Sequence, residues 1–153
     1  MFFLSVNIVI HLFLYEQFKS SLKMDFKEII SCVEKFHKSF SIENNYKPTV
    51  DLSSDDITLR YNLMREENEE YLEAAKNGDM IEVADALGDQ LYILCGTILK
   101  HGMQDKIVEV FEEIQRSNMS KLDANGNPIY REDGKVLKSE LYFKPNIQKI
   151  LND

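Results

Sequence analysis

Cysteine is scarce in this chain: there are two, Cys32 and Cys95. Two thiols cannot supply the paired spacing of a zinc site or a disulfide framework. Both fall in apolar helical patterns, so both are expected to be reduced and buried, as suits a cytoplasmic protein. Basic charge is also short, with 18 Lys and Arg against 26 Asp and Glu and a net charge of −8. That deficit argues against nonspecific binding to a nucleic acid polymer or an anionic membrane. A single nucleotide stays open, because a metal ion can reverse the local sign. The most apolar stretch, MFFLSVNIVIHLFLY at residues 1–15, falls short of the ~20 residues a membrane span needs. It has no basic leader and no small-residue cleavage site after it, so it does not read as a signal peptide. His37 and His101 show no pairing with a nucleophile and are expected to be structural. No internal repeat or low-complexity tract is present.

What remains is one domain's worth of chain, 153 residues with 44% apolar and 29% charged content. Met24 stands immediately before a strong helix start. Residues 1–23 are therefore expected to be an extension of the reading frame outside the native fold, leaving residues 24–153 as the domain. Asp25 and Glu28 form a capping-box pattern ahead of Phe26, Ile29, Ile30, Val33, Phe36 and Phe40, which recur at helical spacing. A polar segment with a proline follows. Ser54 can cap a second helix that runs to about Asn77 and stops at Gly78. Asp79 opens a third, which runs to about His101 and stops at Gly102. Gly88 and Gly96 inside it suggest close approach by a neighbour, since each costs about 1 kcal/mol relative to alanine. A fourth helix, QDKIVEVFEEIQRSNMSKL, is expected to bury Ile107, Val108, Phe111 and Ile114. Turn signals at Asn125-Gly126 and Asp133-Gly134 predict a small hairpin or ordered loop, and Pro145 can start a last short helix. The fold class is all-α: a bundle of four to five helices with a loop-rich C-terminal tail.

The unusual stretch lies between Arg65 and Asp89, where nine carboxylates accompany one lysine, Lys76. A link of Asn77, Gly78 and Asp79 makes the second and third helices antiparallel neighbours. At 1.5 Å rise per residue, Glu70 lies roughly 12 Å and Glu67 roughly 16 Å from Gly78. On the return helix Glu82, Asp85 and Asp89 lie at roughly 6, 10 and 16 Å. Glu67 and Glu70, and then Glu82, Asp85 and Asp89, each share a helix face. Such a set repels itself in a partly buried groove. A hard divalent cation removes the repulsion, and all-oxygen ligands suit Mg²⁺ or Mn²⁺. The ordinary reading of an acidic helix run is a solvated face, and Glu69 and Glu73 fit it. Against it for the others, apolar residues such as Leu63, Leu72, Val83 and Leu87 interrupt the acids closely, and lysine partners at i, i+4 are missing. Glu82 has a rival role as capping-box partner of Asp79.

Glu66–Glu70 (EENEE) followed by Glu82–Asp85 (EVAD) resembles the EExxE…ExxD signature of the MazG-like all-α nucleoside triphosphate pyrophosphohydrolases. The tail SNMSKLDANGNPIYREDGKVLK is similar to a subgroup described as phosphoribosyl-ATP pyrophosphohydrolase-like. The resemblance implies a reaction, NTP or dNTP + water → NMP + pyrophosphate, with Mg²⁺. It implies Glu67, Glu70, Glu82 and Asp85 as metal ligands and Glu66 as the group that orients or deprotonates the attacking water. The height argument favours Asp89 over Glu82; Asp89 is kept as a further ligand or as a partner behind the ligands.

Cationic or polar groups are needed for the outer phosphates, and Asn118, Lys121, Lys135 and Lys138 are the candidates. A base pocket needs an apolar or aromatic wall, for which Phe36, His37, Phe40, Tyr61 and Tyr92 are available. The family commonly assembles its site between subunits, which implies a homodimer or homotetramer, with Tyr92, Leu94 and Leu99 as a possible seam. Two other functions stand beside nucleotide-pool cleansing. One is phosphoribosyl-ATP hydrolysis in histidine biosynthesis. The other is a non-catalytic helical interaction module whose acids only solvate it.

Overall fold

The computed structural model describes residues 24–152. The expected extension, residues 1–23, lies outside the described residues. The chain forms α1 (Phe26–Ser39), α2 (Ser54–Asn77), α3 (Met80–Lys100), α4 (Ile107–Met119) and α5 (Ile147–Asn152). There is no strand among the described residues; the tail hairpin reduces to one antiparallel bridge, Tyr130–Val136. No helix among them is long and apolar enough to cross a membrane.

Local chemistry sets the boundaries. Asp25 caps α1 in the expected capping box with Glu28. The cap of α2 is Ser53, one residue before the expected Ser54, and its hydroxyl accepts from Asp56 N. Gly78 ends α2 in the left-handed region at φ 71°, which only glycine adopts without strain. The fourth helix starts later than expected, at Ile107, and no side chain caps it.

α2 and α3 form an antiparallel hairpin, the most extensive helix pair, and α1 packs across α3. Ile30, Val33, Cys95, Ile98 and Leu99 make the buried core, with Phe26, Ile29, Met103 and Ile107 packed against it. This core is thin, and several expectations fall with it. Phe111 is 67% exposed, Ile114 is exposed too, and Ile107 and Val108 are only half covered. α4 is amphipathic as read, but within one chain its apolar face lines an open groove with Phe26, Leu94 and Ile98. Cys32 is also exposed rather than buried, with its thiol 3.8 Å from Met24 Sδ, while Cys95 is buried as expected. Leu99 is fully buried in the core and so is unavailable to a subunit seam.

The two α3 glycines separate cleanly. A Cβ at Gly96 would stand 2.6 Å from Arg60 Nη1 and 3.1 Å from His37 Nε2, so the expected close approach occurs there. Among the described residues Gly88 has nothing within 4 Å of that position, so none of them supplies its expected close neighbour. Gly88→Ala is expected to stabilise the chain by about 0.5–1 kcal/mol through helix propensity alone. Gly96→Ala is expected to lower the melting temperature, because His37 is buried and cannot yield freely. Thermal denaturation of the two variants checks both signs.

Candidate active site

The register of the α2–α3 hairpin can be followed contact by contact. Lys100 Nζ meets Asp56 Oδ1 at 2.9 Å at the end remote from the connecting turn. Further along, Arg60 lies against Gly96. Gln90 Nε2 then donates to the Glu67 carbonyl at 3.2 Å. Equal rise on both helices puts Asp89 level with Glu67, Asp85 close to Glu70, and Glu82 about a turn lower, beside Ala74. Gln90 was not singled out from the sequence; its place beside Asp89 was the available signal.

Glu67 is the centre of the acidic face. Burial, first, and then the charges of Glu70, Asp89, Glu66 and Asp85 push its carboxyl above the usual carboxylate range. Four of the six expected site acids, two from each helix, thus lie near enough to Glu67 for their charge to act on it. Glu67 is half covered, whereas Glu66, Glu70, Asp85 and Asp89 are exposed. Its Oε2 is buried and has no hydrogen-bond partner among the described residues. An orphaned carboxylate oxygen is costly unless something coordinates it.

Glu82 belongs to an adjoining space. It lines a polar cleft of about 420 Å³ with Glu70, Glu73, Ala74, Asn77 and Asp79. The Asp79 carboxylate accepts from Ile81 N and Glu82 N. No return bond from the Glu82 carboxylate forms among the described residues, so its side chain is not held in a capping box. Glu70 lines the cleft and also neighbours Glu67, which makes it the link between the two groups. Glu69 reaches back towards Arg65 at 3.8 Å and faces water, as the spacing suggested.

The donor set is carboxylate oxygen throughout, the chemistry of a hard divalent cation. Backbone placement and the orphaned Glu67 Oε2 fit such an ion. Side-chain positions do not yet close around one point: among the described residues, no three acidic, histidine or cysteine side chains form a ligand group. Rotamer changes on fixed helices would have to complete the set.

The aromatic candidates divide. Phe36 stacks on Phe40 with centroids 4.3 Å apart and meets Tyr92 edge-on at 5.6 Å. Tyr92 follows Asp89 by three residues, so this half-open aromatic wall begins one turn beyond the carboxylates. Tyr61 lies instead under Arg65, 6.0 Å from its ring. His37 is 2% exposed, and its Nδ1–H donates to Asn44 Oδ1 at 2.6 Å, the structural role expected of it. His101 Nδ1 likewise bonds the Thr49 carbonyl.

The tail groups stand apart from this face. Lys121 Nζ donates to Asn118 Oδ1 at 2.8 Å. Lys138 sits over the Tyr142 ring at 4.3 Å, and Lys135 lies in the turn closed by Asp133. No hydrogen bond or ion pair among the described residues connects any of the four to the α2–α3 acids. The tail is anchored to α4 instead, through Ser117 Oγ to the Phe143 carbonyl and Ser139 Oγ to the Ser120 carbonyl.

No curated protein matches the chain. A family model does, described as phosphoribosyl-ATP pyrophosphohydrolase, over residues 33–118. The match spans the α2–α3 hairpin with all of its acids and leaves the tail after Asn118 outside. With more than half of its length matched, this chain belongs to the phosphoribosyl-ATP pyrophosphohydrolase family, within the MazG-like superfamily of pyrophosphohydrolases.

Proposed function

We propose that the protein is a Mg²⁺-dependent nucleoside triphosphate pyrophosphohydrolase, cleaving NTP or dNTP with water to NMP and pyrophosphate. The observation that carries this reading is the half-buried Glu67, its Oε2 without a partner among the described residues, on a hairpin that brings Glu66, Glu70, Asp85 and Asp89 within range of its charge. Bound Mg²⁺, with Mn²⁺ as a substitute, would neutralise the phosphates, acidify a water and stabilise the departing pyrophosphate. Glu67, Glu70 and Asp85 would hold it, with Glu82 and Asp89 completing or supporting the set. Glu66, adjacent and exposed, would orient the attacking water and take its proton. Tyr92, Phe36 and Phe40 would offer the base an aromatic wall. Asn118, Lys121, Lys135 and Lys138 would meet the outer phosphates, and a second subunit is the natural source of them.

A homodimer or homotetramer follows from the thin core. Leu87, Leu91 and Leu94 are exposed at 4- and 3-residue spacing on α3, and Phe111 and Ile114 are open on α4. Contiguous apolar surface of this kind marks an interaction face. A monomeric mass in solution at micromolar concentration would overturn that part.

The test of the main reading is pyrophosphate release from a panel of canonical and modified triphosphates with Mg²⁺. Release by the wild type is expected; none on any member would defeat it. The family match also favours phosphoribosyl-ATP as substrate. Including it in the panel, and testing a deletion strain for histidine auxotrophy, separates that pathway from nucleotide-pool cleansing.

A further inference from the structure

Arg60 is the one arginine on the inner face of the α2–α3 hairpin, and its position is unusual. It is half covered, and burial pulls its guanidinium below the ordinary arginine range, with Asp56 opposing. Yet it has no ion pair or hydrogen bond among the described residues. Asp56, one turn back, already binds Lys100 Nζ and the Ser53 hydroxyl. None of its nitrogens is among the buried unpaired atoms of the described residues, so its guanidinium, with five donors, remains open to an incoming acceptor. The notch that accommodates it is deliberate in sequence terms: Gly96 alone on α3 leaves room for Arg60 Nη1 and His37 Nε2 together.

Its height completes an order along the groove. Arg60 is seven residues from Glu67 on the same helix, about 10 Å along the axis. Tyr92 and Phe36 lie between the two levels, since Asp89, Tyr92 and Gly96 follow one another on one face of α3. From the turn outward this side of the hairpin therefore presents carboxylates, then aromatic rings, then a cation with no ion pair among the described residues. That is the order of a metal-bound phosphate chain, a base and the far edge of that base.

We propose that Arg60, positioned by His37 and the Gly96 notch, is a specificity residue that donates to an acceptor oxygen at the base end of the nucleotide. Two sources share this chemistry: a carbonyl oxygen on the base, or a phosphate carried beyond it, as in a phosphoribosylated adenine nucleotide. The inference rests on the nucleotide reading given above.

The experiment is calorimetric binding of GMP, UMP, CMP, AMP and phosphoribosyl-AMP, each with Mg²⁺, to the full chain and to Arg60→Gln and Arg60→Lys. Mg²⁺-pyrophosphate serves as a probe of the carboxylate face alone. Arg60→Gln is expected to weaken nucleotide binding about tenfold, the scale of one charged hydrogen bond, and pyrophosphate binding less than twofold. Arg60→Lys should recover part of the loss and covers the case in which the glutamine variant does not fold. A loss seen with GMP, UMP and CMP but not AMP assigns the oxygen to a base carbonyl. A loss confined to phosphoribosyl-AMP assigns it to a phosphate.

Equal weakening of nucleotide and pyrophosphate, or no weakening of either, overturns the proposal and leaves Arg60 a packing residue. If the wild type releases no pyrophosphate from any triphosphate but Arg60→Gln still loses nucleotide affinity, the hydrolytic reading fails and the Arg60 assignment stands. Normal turnover with unchanged affinities in both variants removes the Arg60 assignment alone. A wild type that binds none of the nucleotides removes the Arg60 assignment, and the hydrolytic reading falls with it only where pyrophosphate release is absent as well.

Discussion

Glu67→Gln is expected to abolish turnover and, in metal-free buffer, to raise the melting temperature. The two effects have opposite signs because they arise from one cause. Glu67 is half-buried among Glu70, Asp89, Glu66 and Asp85, and its carboxyl is raised above the usual range. Folding therefore favours its protonated form. The stability this contributes is fully present below the unfolded-state pKa, about 4.3. It is lost as pH rises through the higher folded-state value, and above that window the ionised side chain is a net cost. A neutral amide of the same shape removes the cost. Loss of a ligating oxygen should reduce kcat/KM by more than roughly 100-fold, the upper end of what is seen for groups merely supporting a metal ligand. Mg²⁺ should raise the melting temperature of the wild type by mass action and do so far less for the variant. Pyrophosphate release, and melting curves at pH 5 and pH 8 with and without Mg²⁺, read all of this. Loss of activity together with a lower metal-free melting temperature would mean that Glu67 is a packing residue. Unchanged activity would return the acids to the role of a solvated face.

The convergence of the acids was legible because acidic residues at i, i+3 and i, i+4 on two helices joined by a very short link have few places to go. Rise per residue alone put Asp89 at the height of Glu67, and the Gln90–Glu67 bond agrees with that level. The motif pointed to Glu82, which stands a turn lower and reaches the others through Glu70. Helix ends were legible where a single residue carries the signal, as at Asp25, Gly78 and Asp79. What failed was anything that depends on a neighbour. Gly88 and Gly96 look alike in sequence, and only the presence of Arg60 and His37 opposite one of them tells them apart. Amphipathic spacing in α4 says that Phe111 and Ile114 share a face, not that anything in the same chain covers it. Proximity in sequence grouped Asn118, Lys121, Lys135 and Lys138, but their bonds run to one another and to the tail. Cys32 looked buried because the residues around it are apolar, yet the packing of α1 on α3 leaves it exposed. Arg60 was passed over because an arginine in a polar helix is unremarkable until its place against Gly96 is visible.

The second large effect concerns the end of the hairpin that sets the register. Lys100 is buried, and its ammonium meets Asp56 Oδ1 at 2.9 Å. That bond, followed by the one from Ser53, holds the Asp56 carboxyl below the usual range. Asp56→Asn keeps the shape but leaves a buried positive charge without its counter-charge. Breaking a fully buried pair on one side costs about 3–5 kcal/mol. Here the Asp56 side chain is 36% exposed, and a polar cavity of about 610 Å³ adjoins the pair. Solvent screening brings the expected loss to about 2 kcal/mol, or roughly 4–8 °C in melting temperature for a chain of this size. Adding Lys100→Met should recover most of it, because the second change removes the stranded charge and keeps the buried stem. The bond from Asn45 Nδ2 to the Lys100 carbonyl survives both changes, since it uses backbone. The pH dependence has the opposite sense to that of Glu67. Asp56 is depressed, so its contribution is present above the unfolded-state value of about 3.9 and is lost as pH falls through the folded one. Asp56→Asn should therefore flatten the acid limb of the stability profile. The Arg60–Gly96 and Gln90–Glu67 contacts still hold the register in the double variant, so its carboxylates stay level and its turnover should remain close to that of the wild type. A single Asp56→Asn variant that melts within 2 °C of the wild type would place the pair among ordinary surface ion pairs, and the register of the acidic face would then rest on helix packing alone.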